Sequence, residues 1–210
     1  MVTMLSNDNA LFERAFDILN EVYYEGKLPK AVITIQSKPS AYGYITCNQV
    51  WSDTDNSYYE INITAEYLNR PVENLLATLQ HEMVHLYCME NGINDTSKGR
   101  RYHNKNFKNE AEKRGLVIEY VKYIGYSKTS PSEQFIEVLR EHGLLDNAIN
   151  HHRIEPLEFV MPPNGTPKVK KKSSTRKYIC PACGISVRAT KIVNIICGDC
   201  MCAMELEEKR

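Results

Sequence analysis

The sequence predicts an α+β domain with a small cysteine-rich module appended on its C-terminal side. Three observations carry this expectation: an amphipathic helical segment followed by three β-rich segments, a long helical segment with two histidines four residues apart, and two Cys-x-x-Cys pairs beyond residue 179. At 210 residues the chain suits one medium domain plus such an appendage, because single cores occupy roughly 100–200 residues. A hydrophobic fraction of 42% and a charged fraction of 25% are ordinary for a chain that folds around a core.

Residues 9–24 place Leu11, Phe12, Ala15, Leu19, Val22 and Tyr23 mostly three and four apart, after the possible caps Ser6, Asn7 and Asp8, and predict an amphipathic helix. AVITIQS (31–37), YGYITC (42–47) and YYEINIT (58–64) are rich in β-branched and aromatic residues, with the polar WSDTDNS between the last two, and predict a small antiparallel sheet. Asn69-Arg70-Pro71 opens a second helix, with Pro71 suited to its first turn and Gly92 to its stop. Val72, Leu75, Leu76, Leu79, Met83 and Leu86 form its apolar stripe, and Thr78, His81, His85 and Cys88 an adjoining face.

After the polar loop GINDTSKGRRY, residues 104–114 predict a helix ending at Gly115, LVIEYVKYI an extended segment, and Ser130-Pro131-Ser132 the start of a short helix stopped by Gly143. From about residue 150 to 178 apolar periodicity fails, and MPPNGTPKVKKKSSTRK reads as a flexible basic linker. The expected organisation is therefore a domain at 1–160, a linker at 161–178 and the cysteine-rich module at 179–210.

Composition also excludes function classes. No run approaches the roughly 20 apolar residues a membrane crossing needs, and MVTMLSNDNALFERAFDIL lacks a basic segment leading into an apolar one, so a cytoplasmic protein with no membrane partner is expected. The zero net charge hides an asymmetry: residues 166–191 hold eight Lys or Arg and no Asp or Glu, leaving 18 basic against 26 acidic residues elsewhere. Such a basic stretch points to an anionic partner, with nucleic acid first.

The chemistry centres on His81-Glu82-Met83-Val84-His85. Residues four apart on a helix share a side, so His81 and His85 can aim ring nitrogens at one zinc ion while Glu82 stands beside it as a base. Zinc polarises a carbonyl and acidifies water, the requirements of peptide hydrolysis. A chance pattern on a solvated helix remains the ordinary alternative. A catalytic zinc keeps three protein ligands and one open position, so a third ligand is needed. His103 is the foremost candidate, following the loop after Gly92 and opening a helix whose Phe107 and Ala111 can pack and fix it; His142, His151 and His152 stand in reserve. Tyr126 and Tyr102 are candidates for stabilising an oxyanion, but spacing places neither. Trp51, Tyr58 and Tyr59 read as sheet or core residues, and Cys88 and Cys47 as buried free thiols.

EINITAEYL leading into the helix, NLLATLQHEMVH, and His103-Asn104-Lys105-Asn106-Phe107 followed by KNEAEKRGL resemble the SprT-like family of zincin metalloproteases, over about residues 32–116. That family includes the Spartan-type proteases that act on DNA–protein crosslinks. The resemblance implies a zincin-like fold with an HExxH helix, His81, His85 and His103 as ligands of a catalytic zinc, and Glu82 as the general base that activates a zinc-bound water. Phe107 keeps the family's spacing from the third histidine, while Asn104 stands where the family commonly has glycine.

Cys180-x2-Cys183 and Cys197-x2-Cys200, with thirteen residues between the pairs, predict a closed structural zinc site in a C-terminal zinc ribbon. Cys202 is a fifth thiol able to substitute for Cys200, although Cys197 and Cys200 match the first pair better. No thioredoxin-like context supports redox chemistry at either pair. SprT-like proteins often carry such a ribbon. Lys168, Lys170, Lys171, Lys172, Arg176 and Lys177 precede it and Arg188 and Lys191 lie within it, an electrostatic footprint for DNA whose bland alternative is a solvated linker.

The resulting expectation is a zinc endopeptidase with two Zn2+ ions, one catalytic and one structural, acting on protein substrates associated with or crosslinked to DNA. Its rivals are a nucleic-acid-binding adaptor with architectural zinc sites and a zinc protease indifferent to DNA.

Overall fold

The computed structural model describes residues 4–97, 102–154 and 175–207. The chain divides into two compact units, 1–159 and 160–210. In the first, helix α1 (Leu5–Tyr24) precedes β1 (Ala31–Gln36), β2 (Gly43–Ile45), β3 (Trp51–Ser52) and β4 (Ser57–Thr64), and α2 spans Val72–Glu90. After these come β5 (Thr96–Ser97), β6 (Tyr102–His103), α3 (Lys105–Glu112), β7 (Leu116–Val121), β8 (Gly125–Pro131) and α4 (Glu133–Glu141).

One sheet runs β1-β4-β2, with β3 also on β4; a second runs β5-β6-β8-β7. The first is not wholly antiparallel as expected: β1 lies parallel to β4, Ala31 opposite Tyr59 through Gln36 opposite Thr64. A buried carboxylate links the strands of this sheet. Glu60 accepts from Thr34 Oγ1 at 2.9 Å, Tyr44 OH at 2.9 Å and Trp51 Nε1 at 2.8 Å, tying β1, β2 and β3 to one point on β4. The indole of Trp51 thus serves the sheet.

Helix α2 is buried on nearly every side: Leu75, Leu76, Leu79, Met83, Val84 and Leu86 are inaccessible, and so is Cys88. They pack with Phe12, Ala15 and Leu19 of α1, Ile61 and Ile63 of β4, Phe107 of α3 and Phe135 of α4. Burial pushes the Cys88 thiol up to about 12, as befits an inert core sulfur. Cys47, expected to be buried as well, is exposed.

The expected cap residues of α1 lie inside the helix. Met4 is the N-cap, and buried Asp8 instead pairs with His151 Nδ1 at 2.7 Å, fastening the segment after α4 to α1. The extended segment expected at 116–124 is the first half of a hairpin whose return strand, β8, sequence reading missed. Its Ser and Lys content carries no apolar alternation. Ser132 caps α4 by accepting from Phe135 N, one residue after β8 ends. Among the described residues no helix is long and apolar enough to cross a membrane.

The second unit holds β9 (Arg176–Ile179), β10 (Ser186–Ala189) and β11 (Glu205–Leu206), ordered β10-β9-β11 and antiparallel. Residues 176–178, read from sequence as linker, are therefore strand. Tyr178, buried, accepts a hydrogen bond from Val193 N at 3.1 Å and anchors it. Residues 161–174 of the basic linker, including Lys168, Lys170, Lys171 and Lys172, lie outside the described residues.

Candidate metal centre and cleft

His81 and His85 sit one turn apart on α2, and His103 ends β6 instead of opening a helix. The Nε2 atoms of the three rings lie 3.1, 3.2 and 3.3 Å from one another. Nitrogens bonded at about 2.0–2.1 Å to one tetrahedral ion are roughly 3.3 Å apart, so the triangle fits zinc. A closed ring of three facing imidazole nitrogens has no ordinary hydrogen-bonding rationale, and a cation removes the repulsion between their lone pairs. Burial and the neighbouring rings hold His81 well below its usual range, and burial with His85 brings His103 down to about 4, which keeps both imidazoles neutral and able to ligate.

The outer nitrogens set the ring orientations. His81 Nδ1 meets Thr129 Oγ1 of β8 at 2.7 Å, and His85 Nδ1 meets Asp95 Oδ2 at 2.5 Å. These contacts leave Nε2 free to face inward. The phenyl ring of Phe107 backs all three imidazoles, with centroids 4.5–4.6 Å away. Asn104, in the place of the expected glycine, has ordinary extended backbone and a structural task. Its side chain accepts from Asn106 N and Phe107 N to cap α3 and donates to Asn94 O at 2.8 Å, while its N–H donates to Asp95 O, so one residue joins the third histidine to the Asp95 segment.

Sequence reasoning missed Asp95 and Thr129. A carboxylate between His85 and His103 was the available signal for Asp95; none existed for Thr129, which lies 48 residues from its histidine. Asp95→Ala is expected to weaken metal binding at the histidine site about 10–100-fold, measured by chelator competition. An affinity equal to the parent's would remove Asp95 from the centre.

Glu82, buried, points from α2 toward β2. A hydrogen bond from the Ile45 backbone holds its carboxyl, yet burial dominates and pushes it up to about 7. Gly43 permits this approach: a Cβ there would stand 2.9 Å from Asn62 O, 3.0 Å from Thr78 Cγ2 and 3.3 Å from Glu82 Oε1. The three histidines and Glu82 line a cleft of about 1300 Å³, with Tyr42, Gly43 and Tyr44 on one wall and Ser127, Lys128 and Thr129 on the other. Strand β4 (the expected YYEINIT) is paired on both sides and offers no edge here; β2 ends its sheet.

The remaining sequence candidates stand elsewhere. His142 Nδ1 is bonded to Val138 O at 2.9 Å, and His151 to Asp8. Tyr126 packs against Tyr120 with Lys108 over its ring, and neither it nor Tyr102, Trp51, Tyr58 or Tyr59 lines the cleft.

In the second unit the ligand atoms of Cys180, Cys183, Cys197 and Cys200 lie within 4.8 Å of one another. Cys200 rather than Cys202 completes this set. Two matching turns present the pairs: Gly184 N donates to Cys180 O at 2.9 Å and Met201 N to Cys197 O at 2.8 Å, with φ of 75° at Gly184 and 54° at Met201. The geometry is compatible with a zinc ribbon.

The model of the SprT-like family matches residues 12–123, more than half of the chain. No curated protein and no solved structure matches it.

Proposed function

The chain belongs to the SprT-like family, and from that premise we propose that it is a zincin-type, zinc-dependent endopeptidase acting on protein substrates, with proteins bound or crosslinked to DNA as its targets. The observation that carries the reading is the triangle of Nε2 atoms 3.1–3.3 Å apart beside a buried carboxyl on the same helix. An architectural site has no use for that carboxyl. A zinc ion held by His81, His85 and His103 supplies Lewis acidity toward the peptide carbonyl and the attacking water.

Glu82 does the proton work. Its raised proton affinity suits it to take a proton from the attacking water and return it to the leaving amine near neutral pH. The open edge of β2 accepts an extended peptide by main-chain pairing, which tolerates varied side chains. The second zinc, held by Cys180, Cys183, Cys197 and Cys200, stabilises the ribbon and takes no part in the chemistry.

The DNA half of the proposal rests on charge. In the ribbon, Arg188 and Lys191 are exposed and, among the described residues, have no ion-pair partner, whereas Lys177 is paired with Glu207 at 2.8 Å. The zinc-loaded protein, incubated with a DNA-binding protein and with a protein that ignores DNA, with and without single-stranded DNA, is expected to cut the first when DNA is present. Equal cutting of both without DNA would leave a DNA-independent protease. DNA binding without cleavage of any substrate would leave the adaptor reading.

A further inference from the structure

We propose that Cys202 and Cys180 form an oxidation-sensitive thiol pair, which a hydroperoxide converts to a disulfide at the expense of the ribbon's zinc site. The inference rests on the cysteine cluster holding zinc and is independent of proteolysis.

Four thiolates saturate a tetrahedral zinc, so Cys202 is left over. It is not distant. Its Sγ lies 3.5 Å from Cys180 Sγ, closer than the 3.7 Å between the ligand sulfurs of Cys183 and Cys197. Backbone pairing fixes it there: Cys197 N donates to Cys202 O at 2.9 Å, and Ile196 bridges to Ala203. Accessibility orders the chemistry, since Cys202 is half-buried while Cys180 is 1% exposed.

The peroxide therefore meets Cys202 first. Its sulfur attacks the O–O bond, taking one oxygen as a sulfenic acid and releasing the other as water from hydrogen peroxide, or as an alcohol from an organic hydroperoxide. The Cys180 thiolate then attacks the Cys202 sulfur, forming the S–S bond and expelling hydroxide, which is protonated to water. Two sulfurs lose two electrons in all, and the peroxide gains them. Cys180 no longer ligates, and Cys183, Cys197 and Cys200 are too few to close the site. A thiol reductant reverses the bond.

Hydrogen peroxide is added to the full-length, zinc-loaded protein, released zinc is followed with a chromogenic chelator, and linked peptides are mapped without reduction. Expected are loss of about one zinc per chain, a Cys180–Cys202 linked peptide, and recovery on adding reductant and zinc; Cys202→Ser, loaded with as much zinc as the parent, releases it at least about tenfold more slowly. Cys202→Ala behaves alike, which separates loss of the sulfur from any disturbance by the new hydroxyl. Release as fast from both variants, or linked peptides confined to the four ligands, overturns the pair. Variants that hold no ribbon zinc before oxidation also overturn it, by making Cys202 a ligand.

Discussion

Replacing Glu82 by Gln is expected to leave zinc binding and folding intact while lowering kcat by about 10²–10⁴-fold, the usual worth of a positioned acid–base group. Glutamine fills the same space, and its amide oxygen can still accept the hydrogen bond that Ile45 gives the carboxyl. What it lacks is the ability to take up a proton. Among the described residues the other carboxylate lining the cleft is Asp95, and it is already engaged by His85 Nδ1 at 2.5 Å. The check pairs turnover of a protein substrate with zinc content and a denaturation midpoint. A variant that keeps zinc and turns over at close to the parent rate would sink the assignment, whereas one that loses zinc would show that the carboxyl holds the site together.

Gly125→Ala is expected to break the same centre from the other side. Gly125 of β8 pairs in parallel with His103 of β6 and has a φ of 77°, and a Cβ there would lie 2.1 Å from the His103 carbonyl oxygen. That neighbour is backbone, so β8 and β6 must part. The His103 N–H would then lose the Ile124 carbonyl, now 3.0 Å away, and the third histidine of the candidate centre its support. The left-handed conformation costs about 1–2 kcal/mol for an alanine, and the clash adds roughly 1–3 kcal/mol. Gly92→Ala separates these contributions, because Gly92 has a φ of 65° and nothing within 4 Å of its Cβ position. Denaturation and chelator competition on both variants should show a modest stability loss for Gly92→Ala, and for Gly125→Ala a larger one with weakened metal binding. Identical behaviour would mean that Gly125 is needed only for its backbone angle.

The two centres differ in how far local spacing reveals them. His81, Glu82 and His85 were legible because one helical turn fixes their relation wherever the helix lies, and the four ribbon cysteines because each pair occupies one tight turn. His103 was identified as a candidate through a loop and Phe107, yet its place at the end of β6 depends on Gly125 and Ile124, more than twenty residues on.

Spacing misled where a polar residue served a distant partner. Asp8 looked like a helix cap and is instead buried against His151, and the Ser and Lys residues of β8 gave no strand signal while the strand supplied Thr129 to His81. The seat of β1 on β4, parallel and opposite β2, leaves β2 rather than β4 at a sheet edge, and it joins segments too far apart along the chain to leave a local signal. By itself, then, the sequence determined the helix periods, the paired histidines with their glutamate, and the paired cysteines, because these relations run over a few residues. Only the tertiary structure decided how β6 and β8 bring His103 to the pair, which groups orient the rings, and that Cys202 lies against Cys180, because those contacts join residues whose separation along the chain carries no periodic signal.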